Sequence, residues 1–291
     1  MSNQGLIIEE RPRDIGNFLV GRLLPFSKKR MVGPFIFIDH MGPSTVGNGH
    51  YMDIGPHPHI GLSTLTYLFA GEIMHKDSLG SNQRITPGDV NWMTAGKGVV
   101  HTERTPEDWR DETIRDVHGF QIWVALPTSQ EDCEPEFYHY EKTSLPRWSE
   151  GGLRYSLIAG EAFGRKSPVK TYSPLFMVEI FAEEDVDFST EGRLYGEIGI
   201  CVVKGSIKAC DDVIQQGNLL VSKENDICSI HIFKGSHILI FGGEPFEDKR
   251  EIYWNFVSSD KEKIEQAKQN WREHNFPKVP GDDGYIVMPE K

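Results

Sequence analysis

Cysteine is scarce in this chain, four in 291 residues, and Cys133, Cys201, Cys210 and Cys228 show no Cys-x-x-Cys spacing. Thiolate zinc sites of ordinary spacing and a disulfide framework are therefore disfavoured, and the four read as reduced thiols in a reducing compartment. No run of 18 uninterrupted apolar residues occurs, so no membrane-spanning helix is expected. No amino-terminal stretch joins a basic start to an apolar run and a small-residue cleavage site. The expected location is cytoplasmic, and nuclear as well if the source is eukaryotic. Basic charge is short too: 31 Lys and Arg against 43 Asp and Glu, a net charge of -12. That balance opposes diffuse attraction to phosphates, so no direct nucleic-acid binding is expected. The one basic cluster, Lys28-Lys29-Arg30 near Arg22, reads as a solvated loop.

Turn formers are plentiful. With 29 Gly and 17 Pro punctuating short β-rich runs, the chain is expected to be all-β, and its length suits two domains. Ile7-Ile8 and Phe18-Leu19-Val20-Gly21 look like paired short strands ahead of the apolar run Pro34 to Ile38. Residues 127–150 are polar and Pro-containing, as a linker is, which sets a boundary near residue 140. The later half repeats the earlier in outline, through Leu153–Gly160, Phe176–Phe181 and Ile200–Gly205. The carboxyl segment holds one helix. Ser259-Asp260-Lys261-Glu262 fits a capping box, Ile264, Ala267 and Trp271 recur at helical spacing, and Pro277 stops the run.

The segment from Gly55 to Glu103 carries the chemistry. It opens Gly55-Pro56-His57-Pro58-His59 and closes His101-Thr102-Glu103. Alternate side chains of a strand share a face, so each two-apart pair can face one way, whereas on a helix such residues diverge by about 200°. A single His-x-His pair is ordinary among scattered histidines. Two pairs, separated by the β-run Thr64–Gly71, the turn Thr86-Pro87-Gly88-Asp89 and the strand-like Val90–Met93, can meet inside a small barrel. Three imidazoles and a carboxylate suit Fe(II), Mn, Ni, Cu or Zn and leave coordination positions open. His40 and His50 are near enough in sequence to support a ligand, though a structural role fits them better, and His75 and His118 read as structural.

The order of these elements resembles the two motifs of the cupin superfamily. The wording GPFIFIDHMGP, GPHPHIGLSTLTYLFAGE and GDVNWMTAGKGVVHTE is similar to that of the pirin family, as are VHGFQIWVALP and GGEPF farther on. The stretch after His59 reads Gly61-Leu62-Ser63-Thr64 and lacks the acid of ordinary cupins. In pirins the acidic ligand comes from the second motif, here Glu103. The resemblance implies two tandem cupin-type β-barrels, a bicupin, with a C-terminal α-helix: residues 1–140 a metal-binding cupin domain and 141–291 a metal-free one that includes the helix. Superposing turns agrees. Gly205 on Gly71 places Glu191 and Arg193 at His57 and His59, and Gly217 on Gly88 places Ile230 and Ile232 at His101 and Glu103.

The resemblance further implies Fe(II) as the metal, held by His57, His59, His101 and Glu103. It also implies a quercetin 2,3-dioxygenase-type activity on a flavonol-like small molecule and O2, with Glu103 as the base for the flavonol 3-hydroxyl. Gly96, Gly98 and Ser63 would then allow close approach, and Phe37, Trp92 and Met93 would form an apolar wall. The competing expectation is a non-enzymatic redox sensor that meets a regulatory protein partner through an iron-dependent surface.

Overall fold

The computed structural model describes residues 5–16, 18–222 and 229–290; Cys228 lies outside them. Cys133 is half-buried, Cys201 buried and Cys210 exposed. Among the described residues the chain is all-β apart from one α-helix and three short 3-10 turns, and no helix is long and apolar enough to cross a membrane.

The chain divides into two compact units. One comprises Met1–Arg11, Gly21–Phe37 and Thr143–Phe246, the other Pro12–Val20, Ile38–Lys142 and Glu247–Lys291. This differs from a single cut near residue 140. The carboxyl segment keeps company with the leading half because its apolar stripe finds cover there: Ile264, Ala267 and Trp271 pack with Ile60, Val100 and Phe256.

Across residues 35–142 nine strands follow in order. They are β1 (Phe35–Val46, its first three residues counted with the other unit), β2 (Asp53–His59), β3 (Leu62–Ala70), β4 (Ile73–Asp77), β5 (Asn82–Ile85), β6 (Val90–Thr94), β7 (Val99–Arg104), β8 (Arg115–Ala125) and β9 (Glu136–Tyr140). Four make a sheet in the order β2-β7-β4-β5, and β9-β6-β3-β8-β1 run consecutively in another. Strand β2 carries Pro56 and Pro58, which cannot donate to a ladder, and it lies at the edge of its sheet, where proline is tolerated.

Helix α1 (Lys261–Arg272) is capped by Asp260, whose carboxylate accepts from the Glu262 N–H at 2.8 Å. The cap is one residue later than the Ser259 expected from the sequence. Ser259 is drawn away because its backbone N–H donates to Glu131 at 2.8 Å.

The other unit encloses a core of aliphatic and aromatic side chains, including Leu157, Phe176, Val178, Ile207 and Ile240. Ile230 and Ile232 are buried in it, whereas Glu191 and Arg193 are exposed. His231, between the two isoleucines, turns outward to Asp187 at 2.8 Å. The strand Leu6–Glu9 pairs with Asn218–Val221 of the same unit rather than with Phe18–Gly21.

Candidate metal centre

Strand β7 is the axis of the site. On one side His101 stands opposite His57 and Val99 opposite His59. Past His101 the register shifts, so that Glu103 meets Ile54; Gly55 and Pro56 oppose Thr102 alone, which is a bulge. On its other side β7 pairs regularly with β4, His101 against Asp77 and Glu103 against His75. Directly opposed residues share a face, so His57, His101, Asp77, Glu103 and His75 all project from the same side of the sheet.

The three sequence-predicted histidines converge. His57, His59 and His101 are buried, and one ligand nitrogen from each lies within 4.8 Å of the others. Ring centroids are 4.3 Å apart for His57–His101, 5.0 Å for His59–His101 and 5.1 Å for His57–His59. His57 Nδ1 donates to the Gly55 carbonyl at 2.8 Å, which leaves Nε2 with the lone pair. The Nε2 atoms of His59 and His101 are 3.1 Å apart. Burial lowers the His57 pKa to about 4, and burial together with neighbouring imidazoles holds His59 and His101 well below the usual range. All three are therefore neutral at physiological pH, the form in which imidazole binds a metal.

Glu103 is held differently. It is buried on the same face, but its carboxylate accepts from Thr66 Oγ1 at 3.2 Å and from Gln121 Nε2 at 3.4 Å, outside the cluster of three nitrogens. Thr66 also approaches the Gln121 carbonyl oxygen, at 2.8 Å. Burial pushes the Glu103 carboxyl up, against the opposing pull of His75 and of these two hydrogen bonds.

Several neighbours escape the sequence reading. His75, assigned there to structure, touches the site: its Nδ1 is 3.4 Å from His101 Nδ1, and its Nε2 donates to Asp77 at 2.9 Å. Phe137 stacks on His75 with centroids 4.3 Å apart, and Trp123 meets His59 edge-on at 5.1 Å. The pattern His75-Lys76-Asp77, buried, exposed, buried, was available as a signal of two inward polar groups on one strand.

The apolar wall is only partly as expected. Asn91 opposes Thr66, whose side chain faces Glu103, so Met93 shares that face and Trp92 turns to the other. Phe37 belongs to the other unit, under the Arg22 guanidinium at 4.4 Å. Gly96 and Gly98 do not leave room for a ligand. A Cβ at Gly96, where φ is +49°, would fall 2.0 Å from the Cys133 carbonyl oxygen, and one at Gly98 3.0 Å from the Phe276 ring. Ser63 is hydrogen-bonded to Thr94 at 3.0 Å. His40 pairs with His118, Nε2 to Nε2 at 2.8 Å, and stacks on Phe120, which points away from the face of Gln121. His50 closes an exposed turn with Gly47.

Strand pairing thus brings three histidines, two of them from one His-x-His pair, together inside a β-domain of the cupin type, where they could hold a metal ion. The chain belongs to the pirin family: the Pirin family model matches residues 17–124, and the Pirin C-terminal cupin domain model matches residues 177–277. Its architecture is that of a bicupin with one helix. A pirin-like protein of Caulobacter vibrioides is 45% identical, over 98% of this chain and 99% of the relative. Human pirin is 29% identical over 82% of this chain and 81% of its own. The crystal structure of a quercetin 2,3-dioxygenase from Acinetobacter baumannii superposes with a TM-score of 0.89 at 34% identity, covering 99% of this chain and 95% of that one.

Proposed function

We propose that this pirin is a metal-dependent dioxygenase of the quercetin 2,3-dioxygenase type. Its metal ligands would be His57, His59 and His101, with Glu103 as the acidic member of the set. The convergence of three neutral imidazoles carries this reading. The donor set fits a divalent ion: His57 Nδ1 is tied to a carbonyl, so its lone pair is at Nε2. His59 Nδ1 is buried and has no hydrogen-bond partner among the described residues. The Nε2 atoms of His59 and His101 face each other at 3.1 Å, as two donors to one ion would. Iron is the first choice by family, and the same donors suit Mn, Ni, Cu or Zn.

When bound, a redox metal supplies the path by which electron density moves from an ionised flavonol to O2. The chain supplies the rest. Glu103 is a buried acceptor whose affinity for a proton is raised by burial, the direction required of a base that takes the flavonol 3-hydroxyl proton. Thr66 and Gln121 donate to it and hold its orientation. Trp123 and Met93 give the surroundings apolar surface, which excludes water from the charged groups. The name of the Acinetobacter relative supports this substrate class.

The test is anaerobic loading with ferrous ion, then quercetin, then O2. Carbon monoxide release that is lost in His101→Ala is the expected result. Iron binding without turnover would replace the enzyme by a redox-responsive binding protein.

A further inference from the structure

Asp77 has no exposure, and the contacts of one of its carboxylate oxygens have a fixed polarity. Its Oδ1 accepts from two backbone amides, Leu79 N–H and Ser81 N–H, each at 2.9 Å. Backbone amides only donate, so Oδ1 is an acceptor and cannot be otherwise. Its other oxygen, Oδ2, is 2.9 Å from His75 Nε2. With an ionised carboxylate opposite, His75 must carry its proton on Nε2, and its Nδ1 is then a bare lone pair. That lone pair faces His101 Nδ1 at 3.4 Å, so His101 must supply the hydrogen. The His101 proton is consequently on Nδ1, and Nε2, the atom 3.1 Å from His59 Nε2, is free to donate its electrons.

We propose that Asp77, acting through His75, is the positioning residue that sets the tautomer of His101 and so commits its Nε2 to the metal. The chain of bonds has one direction, set at its buried end by the amides of residues 79 and 81. Phe137, stacked on His75, keeps the relay ring in plane with little freedom to turn. This inference rests on the reading of His101 as a ligand, but the tautomer is a property of the metal-free protein and can be measured without that reading.

The geometry singles out one substitution. In Asp77→Asn the two backbone amides still require a carbonyl oxygen at the Oδ1 position, which forces the side-chain NH2 into the place of Oδ2. The NH2 donates to His75 Nε2, which must then lose its proton to Nδ1. His75 Nδ1–H in turn donates to His101 Nδ1, and the His101 proton is driven onto Nε2. One isosteric change thus reverses the whole series, and Nε2 of His101 is blocked by hydrogen until the tautomer is restored.

The experiment uses full-length, metal-free protein with 15N-labelled histidine, and long-range 1H–15N correlations that distinguish the two tautomers. Wild type should show His101 as the Nδ1–H form and Asp77→Asn as the Nε2–H form. Persistence of Nδ1–H in Asp77→Asn overturns the proposal. Ferrous affinity, measured anaerobically against a chelator, should fall roughly 10- to 100-fold in Asp77→Asn, the usual range for loss of an outer partner of a metal-bound histidine. An affinity within about three-fold of wild type overturns it as well. His75→Phe, which keeps a ring against Phe137 but severs the link, should give His101 a mixture of tautomers and an intermediate affinity; a pure Nδ1–H form there would count against the relay. If instead wild-type ferrous binding is indifferent to His101→Ala, the metal reading fails while the tautomer result stands on its own.

Discussion

His57 and His101 stand directly opposite each other on neighbouring antiparallel strands, their ring centroids 4.3 Å apart and both rings buried. Two imidazoles so placed cannot both be protonated without a large penalty, and burial brings the His57 pKa to about 4 from 6.5. The unfolded chain therefore binds a proton that the folded chain refuses between pH 6.5 and about 4. Stability conferred by keeping this ring neutral is fully present above pH 6.5 and is lost as the pH falls toward 4. For one such group the loss is on the order of 3 kcal/mol. Urea titration of metal-free protein at pH 7 and pH 4.5, beside His57→Gln, measures it; an equal loss in the variant would show that His57 is not the source.

Metal binding should act in the opposite direction. A ligand held only by the folded protein stabilises it by about 2.7 kcal/mol at a hundred times its dissociation constant. Thermal unfolding followed anaerobically should therefore shift upward on addition of ferrous ion, and the shift should vanish in His59→Ala and shrink in Glu103→Gln. Since protons compete for the same lone pairs, the metal-induced shift should also decline as the pH approaches 4. A shift of equal size in His59→Ala would place the bound ion elsewhere.

The buried ion pair of Glu131 with Arg250 ties the carboxyl segment to the end of β8. The two side chains are each 1% exposed, with Nε 3.2 Å from Oε1, and Arg250 Nη2 also donates to the Leu126 carbonyl at 3.0 Å. Glu131 accepts in addition from Ser258 Oγ at 2.7 Å. Removing Glu131 leaves the buried Arg250 charge without its buried carboxylate, and breaking a buried pair costs roughly 3–5 kcal/mol. Glu131→Ala should therefore be strongly destabilising in chemical denaturation, while exchange of both partners for apolar residues should recover much of the loss. A small effect of Glu131→Ala alone would mean that water reaches Arg250.

The sequence made the triad legible because strand alternation and a repeated two-residue spacing are local properties. His57 with His59 could be read without knowing any partner strand. What could not be read depends on register. The bulge at Gly55-Pro56 determines what lies beside Glu103, and the pairing of β4 with β7 brings His75 and Asp77 under His101. Neither follows from spacing along one strand. The same holds for Thr66, Gln121 and Trp123, which lie on strands β3 and β8 and reach the site only through their pairing. The glycines show the complementary error: Gly96 looked like space for a substrate, yet it is needed for contact with the Cys133 backbone. Composition likewise marked a linker near residue 140, but only tertiary packing decides that helix α1 lies with Ile60 and Val100.

The start of that helix provides a sharp local test. A capping box written from the sequence puts Ser259 at the cap, whereas Asp260 occupies it and accepts from the Glu262 N–H. Ser259 meets Glu131 through its backbone N–H, a bond that alanine preserves. Asp260→Ala removes both the side-chain acceptor and a negative charge at the positive end of the helix dipole, a cost of about 1 kcal/mol. Ser259→Ala should change stability by less than about 0.5 kcal/mol. Hydrogen exchange of the amides in the first turns of α1 reads this directly, because opening of one helix need not unfold the chain. Exchange should quicken roughly five-fold in Asp260→Ala and stay near wild type in Ser259→Ala. The reverse order would return the cap to Ser259.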